Sequence, residues 1–167
     1  MQGKHYICLL GLLLLSACGY RFSGGEGLLS GSVHSVSVRI FENNSRWSDL
    51  DVIVTNDVIE QLRQSRSVNF VQNSLEHILC GTIERVRVDT LSRSSDGSPQ
   101  EKFVEINLSV YLTDRNQKKI WKTFLTDREN YYPDQNHELT LKAKKQAMAR
   151  VSERLAERVL NELGQGF

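Results

Sequence analysis

The residue with the most distinctive chemical setting in this chain is Cys18. Leu15-Ser16-Ala17 stands directly before it, preceded by the apolar run Ile7–Leu15 and a single firm positive charge, Lys4. A charge, an apolar run and then small residues is the layout of a signal peptide, here with a thiol at the point of cleavage. At about 1.5 Å per helical residue the run is roughly 14 Å long, against about 30 Å for a bilayer core, so it is too short to span. The other groups capable of catalysis are scattered. His34, His77 and His137 have no companion Cys, Ser or acid at a diagnostic spacing, and His77 with Cys80 makes two ligands without a second pair. The sequence carries no metal, phosphate-loop, dinucleotide or nucleophile-elbow pattern, so no metal, no cofactor and no enzymatic activity are expected.

Basic side chains are the remaining candidates. Arg85 and Arg87, two apart, fall on one face of a strand; Arg93 and Lys102 flank the loop that follows; Arg115, Lys118 and Lys119 crowd the next hairpin. A guanidinium pairs bidentately with phosphate oxygens, so such a cluster suits a phosphorylated lipid head. The competing reading is solvated charge, or cross-strand pairing with Glu84, Glu101 or Glu105.

Leu15-Ser16-Ala17-Cys18 resembles the lipobox of bacterial lipoproteins. The resemblance implies cleavage just before Cys18, with N-acyl and S-diacylglycerol groups on that residue. Each buried CH₂ contributes about 0.8 kcal/mol, and more than one acyl chain makes a stable anchor. The residue after the cysteine is Gly19 rather than Asp. By similarity to proteobacterial lipoproteins, that favours the inner leaflet of the outer membrane, with the domain on the periplasmic face.

Cleavage there leaves 150 residues (167 − 17), enough for one ordinary domain. Removing Lys4 with the signal leaves 20 Lys and Arg against 20 Asp and Glu, formally neutral. No sequence-wide field then favours nucleic acid as a partner. Cys80 is left without an intramolecular partner, and in Ile78-Leu79-Cys80-Gly81 it reads as a buried, inert thiol. Residues 19–32 hold five of the eleven glycines, and this shift in composition marks a flexible leader. Stretched out, the leader reaches about 50 Å. Tyr20 and Phe22 are its exceptions, suited to packing on the membrane interface or on a partner. The expected organisation is a signal peptide over 1–17, a lipidated Cys18 with its leader over 18–32, and a single domain over 33–167.

The pattern of that domain predicts how the basic residues are positioned. Val36, Val38 and Ile40 alternate with polar residues as a half-buried strand, ending in the turn-rich Phe41-Glu42-Asn43-Asn44-Ser45. Ser48 is expected to cap a helix running to about Gln64, with Leu50, Val54, Val58 and Leu62 as its stripe, widened by Ile53 and Ile59. A short edge strand follows at Val68–Val71. In the long strand from His77 to Thr90, Leu79 and Ile83 point one way while Val86 and Val88 point the other. A β-bulge near Glu84–Arg85 would return all four to one face. After a loop over 92–100, Val104, Ile106, Leu108, Val110 and Leu112 share a face of the clearest strand, and a last strand covers about Lys119–Asp127. These three form an antiparallel meander. A long helix over about Asn136–Leu163 carries Leu139, Ala143, Ala147, Val151, Leu155 and Val159, with Gly164 as its C-cap. The sum is an α+β two-layer sandwich: two helices packed on one face of a mostly antiparallel sheet of four to five strands.

Cys18-Gly19-Tyr20-Arg21-Phe22, then Val36-Ser37-Val38-Arg39-Ile40-Phe41-Glu42-Asn43-Asn44-Ser45 before a helix, then Leu79-Cys80-Gly81-Thr82-Ile83, the Trp121 strand and an Ala/Arg/Glu-rich last helix follow one order. Together they resemble the LptE family of lipopolysaccharide-assembly lipoproteins. One departure is the lack of a Pro in Arg46-Trp47-Ser48-Asp49, where relatives often carry one before the first helix. The resemblance implies a non-enzymatic subunit that assembles with and plugs the outer-membrane β-barrel LptD, delivering lipopolysaccharide to the outer leaflet. On that reading Arg93, Lys102, Arg115, Lys118 and Lys119 face the barrel lumen or the lipid phosphates. Val38-Arg39-Ile40-Phe41-Glu42-Asn43 also resembles opening strands of TolB-like and curli-secretion lipoproteins, which build secretion pores or scaffolds. A free periplasmic lipid carrier is the third alternative.

Overall fold

The computed structural model describes residues 33, 35–65 and 68–165. Cys18, the signal segment, the leader with Tyr20 and Phe22, and His34 lie outside the described residues. The chain runs β1 (Ser35–Val38), β2 (Glu42–Asn43), α1 (Leu50–Gln64), β3 (Asn69–Phe70), β4 (Ile78–Arg93), β5 (Pro99–Thr113), β6 (Lys119–Tyr131) and α2 (His137–Gln165). The sheet order is β3-β1-β4-β5-β6, with β2 continuing β1's flank along β4, six strands in all. The fold is the expected α+β sandwich with a slightly larger sheet. The meander β4–β5–β6 is antiparallel, whereas β1 pairs parallel with both β3 and β4, and β2 pairs parallel with β4. A parallel pair needs a crossover, and α1 is the crossover between β1 and β3.

The phase change in β4 resolves as expected. Pairing slips between Ile83 and Arg85, so Glu84 is the extra residue of a bulge. Gly81, Ile83, Val86 and Val88 then stand opposite Val110, Leu108, Ile106 and Val104 on one face. Those β5 residues are fully buried and pack with Val151, Leu155 and Val159 of α2 and with Val54, Val58 and Leu62 of α1 in one core. Phe41 lies across this core at 2% exposure. A Cβ on Gly81 would come within 2.4 Å of its ring, so only glycine admits that close approach.

Other boundaries differ from the sequence reading. α1 does not use Ser48 as its cap. Asp49 takes that place with φ 64°, without a side-chain cap bond, and the first helical bond runs from the Ile53 amide to the Asp49 carbonyl at 3.1 Å. Ile53 lies off the buried stripe, at 41% exposure, and Thr55 replaces it, accepting the Phe41 amide at 3.0 Å and donating to the Asp51 carbonyl at 2.6 Å. β1 stops at Val38, leaving Ile40 at 65% exposure, and part of the expected turn is β2. The loop after β4 shrinks to residues 94–98, and β6 runs on to Tyr131. α2 begins behind Asn136, whose Oδ1 accepts the Glu138 amide at 2.8 Å. It continues through Gly164, which is buried inside the helix rather than capping it. At 29 residues it is about 44 Å long.

Candidate functional site

The helices cover only one face of the meander. The other face is open, and its residues follow from strand alternation: Arg85, Arg87 and Asp89 on β4, Phe103, Glu105, Asn107, Ser109 and Tyr111 on β5, and Lys122, Phe124, Thr126, Arg128 and Asn130 on β6. Two cation–aromatic groups organise it. Toward the β4–β5 hairpin, the guanidiniums of Arg87 and Arg128 lie 5.3 and 5.9 Å from the centre of the Phe103 ring, which is only 7% exposed beneath them. Arg87 also donates to Asp89 at 2.7 Å, and that bond holds the Asp89 carboxyl below its ordinary range. Toward the β5–β6 turn, the Lys119 ammonium sits 4.1 Å from the centre of the Tyr111 ring. Burial pushes the Tyr111 hydroxyl up, beside the Cys80 thiol opposite it in the pair. Cys80 is a free thiol at 6% exposure, buried as expected. It lines a cleft of about 350 Å³ with Arg39, Tyr111, Arg115 and Lys119.

The five basic residues singled out from sequence do not form one patch. Arg93 and Lys102 lie at the β4–β5 hairpin, while Arg115, Lys118 and Lys119 lie at the β5–β6 turn. From Lys102 to Thr113 along β5 is eleven residues, about 36 Å. Arg93 donates to the Gly97 carbonyl at 2.9 Å, and Arg115 pairs with Glu76 at 2.9 Å across two exposed side chains. Lys102 sits near Lys144, whose ammonium packs 4.4 Å from the centre of the Trp47 ring. Burial and then the charge of Lys102 lower the Lys144 pKa. Of the acids in the competing reading, Glu105 acts on Arg87 through its charge, while Glu101 accepts from Asn130 and Tyr132.

Sequence reasoning missed Arg128, because β6 was expected to end at about Asp127, and it passed over Lys122 within the expected strand. It also passed over Arg150, Arg154 and Arg158, whose spacing of four marks one helix face. These three fasten α2 to the outer edge of β6. Arg150 donates to Glu129 at 2.7 Å, and Arg154 to Asp127 at 2.7 Å and to the Arg128 carbonyl at 3.0 Å. Arg158 donates to the Thr126 carbonyl at 2.7 Å. The bond from Arg150 is the main cause of a Glu129 pKa below the ordinary range. Part of an edge strand's unpaired carbonyl row is thereby occupied, which blunts a pairing hazard. Among the described residues there is no group of acids, histidines and cysteines that could hold a metal, and no helix long and apolar enough to cross a membrane.

An α+β domain with one helix-covered sheet face, one open polar face and cations at both ends of the long strands has the makings of an interaction module. Its family is defined: the chain belongs to LptE, the lipopolysaccharide-assembly family, whose model matches residues 33–163. No curated protein matches the chain. Among solved structures it is similar to the rare lipoprotein B of Shewanella oneidensis, with 16% identity, TM-score 0.61, and coverage of 80% of this chain and 96% of that one. It is also similar to lipoprotein B of Nitrosomonas europaea, with 13% identity, TM-score 0.54, and coverage of 79% and 83%. A dodecameric PelC of Paraburkholderia phytofirmans shares the fold at 18% identity and TM-score 0.52, with coverage of 79% and 90%.

Proposed function

We propose that this chain is an outer-membrane lipoprotein, held by acyl groups on Cys18 at the inner leaflet, that assembles with and plugs an LptD-like β-barrel to deliver lipopolysaccharide to the outer leaflet. The family match over residues 33–163 carries this reading. In it the chain is not an enzyme and needs no cofactor; it works by filling and shaping a partner. A barrel lumen is polar, and the open face offers a surface of mixed charge to such a wall. The two groups of basic residues fit the same picture. About 36 Å apart along β5, they are separated by more than the roughly 25 Å apolar band of an outer-membrane barrel. Arg93 with Lys102, and Arg115 with Lys118 and Lys119, would then meet phosphate or lumen wall at opposite mouths.

Capture of the acylated chain from solubilised outer membranes tests the assignment. A one-to-one complex with a single large barrel is expected. Recovery as a lone monomer carrying lipid would favour a carrier and overturn it. So would a homo-oligomeric ring, the outcome for which the fold shared with the PelC dodecamer provides a precedent. Metabolic labelling with a fatty acid should mark the wild-type chain and not Cys18→Ser.

A further inference from the structure

A second surface lies away from the open sheet face. β3 pairs with β1 only at Ser35 and Val36, so no described strand stands beyond Val38 on that side. A groove of about 700 Å³ opens there between β1 and α1, lined by Val38, Ile40, Ile59 and Phe70 with Asp57, Glu60 and Arg63. Its lining mixes apolar side chains, Ile40 at 65% exposure foremost, with two carboxylates, one guanidinium and three side-chain amides. Arg63 is turned onto the Phe70 ring at 5.1 Å, and Asp57 is bonded to Ser152. Exposed Glu60, which accepts from Gln64 Nε2 at 2.8 Å through one oxygen, is the carboxylate that faces a cation on the α1 rim. An aromatic segment with one positive charge would complement such a groove.

In the chain that the expected cleavage would leave, one segment outside the described residues has that composition, Tyr20-Arg21-Phe22. We propose that Tyr20-Arg21-Phe22 docks back into the groove between α1 and β1, its aromatic side chains against Ile40, Val38 and Phe70 and Arg21 toward Glu60. The reach allows it. Ten residues, 23–32, join Phe22 to Val33, where the chain enters the core at 2% exposure. Ten residues span up to about 33 Å, and the path back from Val33 to Ile40 along the first strand is at most about 23 Å. Four glycines, at 24, 25, 27 and 31, permit the reversal such a path needs. The docking itself does not depend on acylation. Its consequence does, and rests on the lipid anchor proposed above: with Tyr20 seated, only Gly19 separates the domain from Cys18, so the domain is held against the leaflet instead of ranging over the leader's full length.

The experiment uses the mature acylated chain in detergent micelles and reads the rate of chymotryptic cleavage at Tyr20 and Phe22. Ile40→Asp should raise that rate about tenfold, the loss expected for one large apolar contact. Ile40 lies outside the domain core, so Ile40→Asp should leave the domain folded, with only the small fall in thermal midpoint that loss of the docked segment brings. Glu60→Arg and Arg21→Glu should each raise the rate about threefold, and the double charge swap should restore it. An unchanged rate in Ile40→Asp would show that the micelle alone shields the segment and would overturn the proposal. Protection that grows with protein concentration would assign the groove to a second copy and overturn it equally. Barrel capture is not part of the readout, so failure of the plug assignment would leave these rates unmoved.

Discussion

The two halves of the meander are held by different forces. Before the bulge at Glu84, β4 has strands on both sides and buries Leu79, Cys80, Gly81 and Ile83. After it, β1 and β2 are gone from that flank, and β4 alternates between exposed and half-buried residues out to Arg93. The helices follow the same division. α1 lies with the base, the middle of α2 from Arg150 to Arg158 is fastened along β6, and Leu139 at the start of α2 is 50% exposed. The base is a hydrophobic core in which contact area decides stability. The outer half keeps a thinner share of that core, Val104, Ile106 and Tyr131 with Val86 and Val88 against them, and adds the arginines of α2, the cations over Phe103 and the backbone ladder. The added contacts are weaker singly and depend on salt and pH. A domain built this way presents a projecting three-stranded tongue whose local stability can lie well below the global value.

Substitutions should separate the halves. Leu108→Ala removes a fully buried side chain from the base and should cost about 2–5 kcal/mol, read as a lower denaturation midpoint of the whole domain. Gly81→Ala places a methyl against the Phe41 ring and should cost about 1–3 kcal/mol in the same measurement. Comparable losses from Val88→Ala in the outer half would break the comparison, since Val88 is only half-buried and should cost less than about 1 kcal/mol. Arg154→Ala cuts the contacts to Asp127, Glu129 and the Arg128 carbonyl. Its guanidinium is partly exposed, so a loss of about 1 kcal/mol is expected, smaller in high salt. That loss should show as faster amide exchange confined to β6 and the stretch of α2 facing it, with the base protected as before.

What the sequence made legible also follows this division. The bulge could be read because Leu79 and Ile83 are out of phase with Val86 and Val88, and alternation is strict wherever one face is buried. The parallel direction of β1 and β2 could not, since a period of two carries no polarity. β2 is two residues inside a turn-like cluster and exists only because Glu42 and Asn43 meet Thr82 and Ile83 on a strand far along the chain. The start of α1 was misplaced because Asp49 adopts a left-handed conformation that composition does not announce. Gly164 resembled a cap only in isolation; docking of Leu163 in the core carries the helix past it. At the site, the basic residues look clustered because hairpins bring them close in sequence. A strand of fifteen residues separates the two hairpins by its full length, and the spacing gave the residues but not their distance.

The smallest effect is the most discriminating, because acid should move the two halves in opposite directions. Asp57 sits between the helices of the base, hydrogen-bonded to Ser152, and burial raises its pKa despite that bond. With a folded pKa above the unfolded one, its contribution is fully present below about 3.8 and is lost as pH rises through the folded value. Asp57→Asn should therefore stabilise the base slightly at neutral pH and reduce its gain on acidification. Glu129, in the outer half, has the reverse sign. The bonds from Arg150 and Arg154 depress its pKa, so its contribution is present above the ordinary glutamate value of 4.5 and is lost as pH falls through the folded value. Between pH 5 and 3, pepsin should then cut the wild-type chain first in β6, well before the base opens. Glu129→Gln, lacking the titrating group, should show early cutting that no longer steepens with acid. Equal cutting of base and tongue across this range would mean that the two halves unfold as one unit, and that the arginine ladder is not what sets the stability of the tongue.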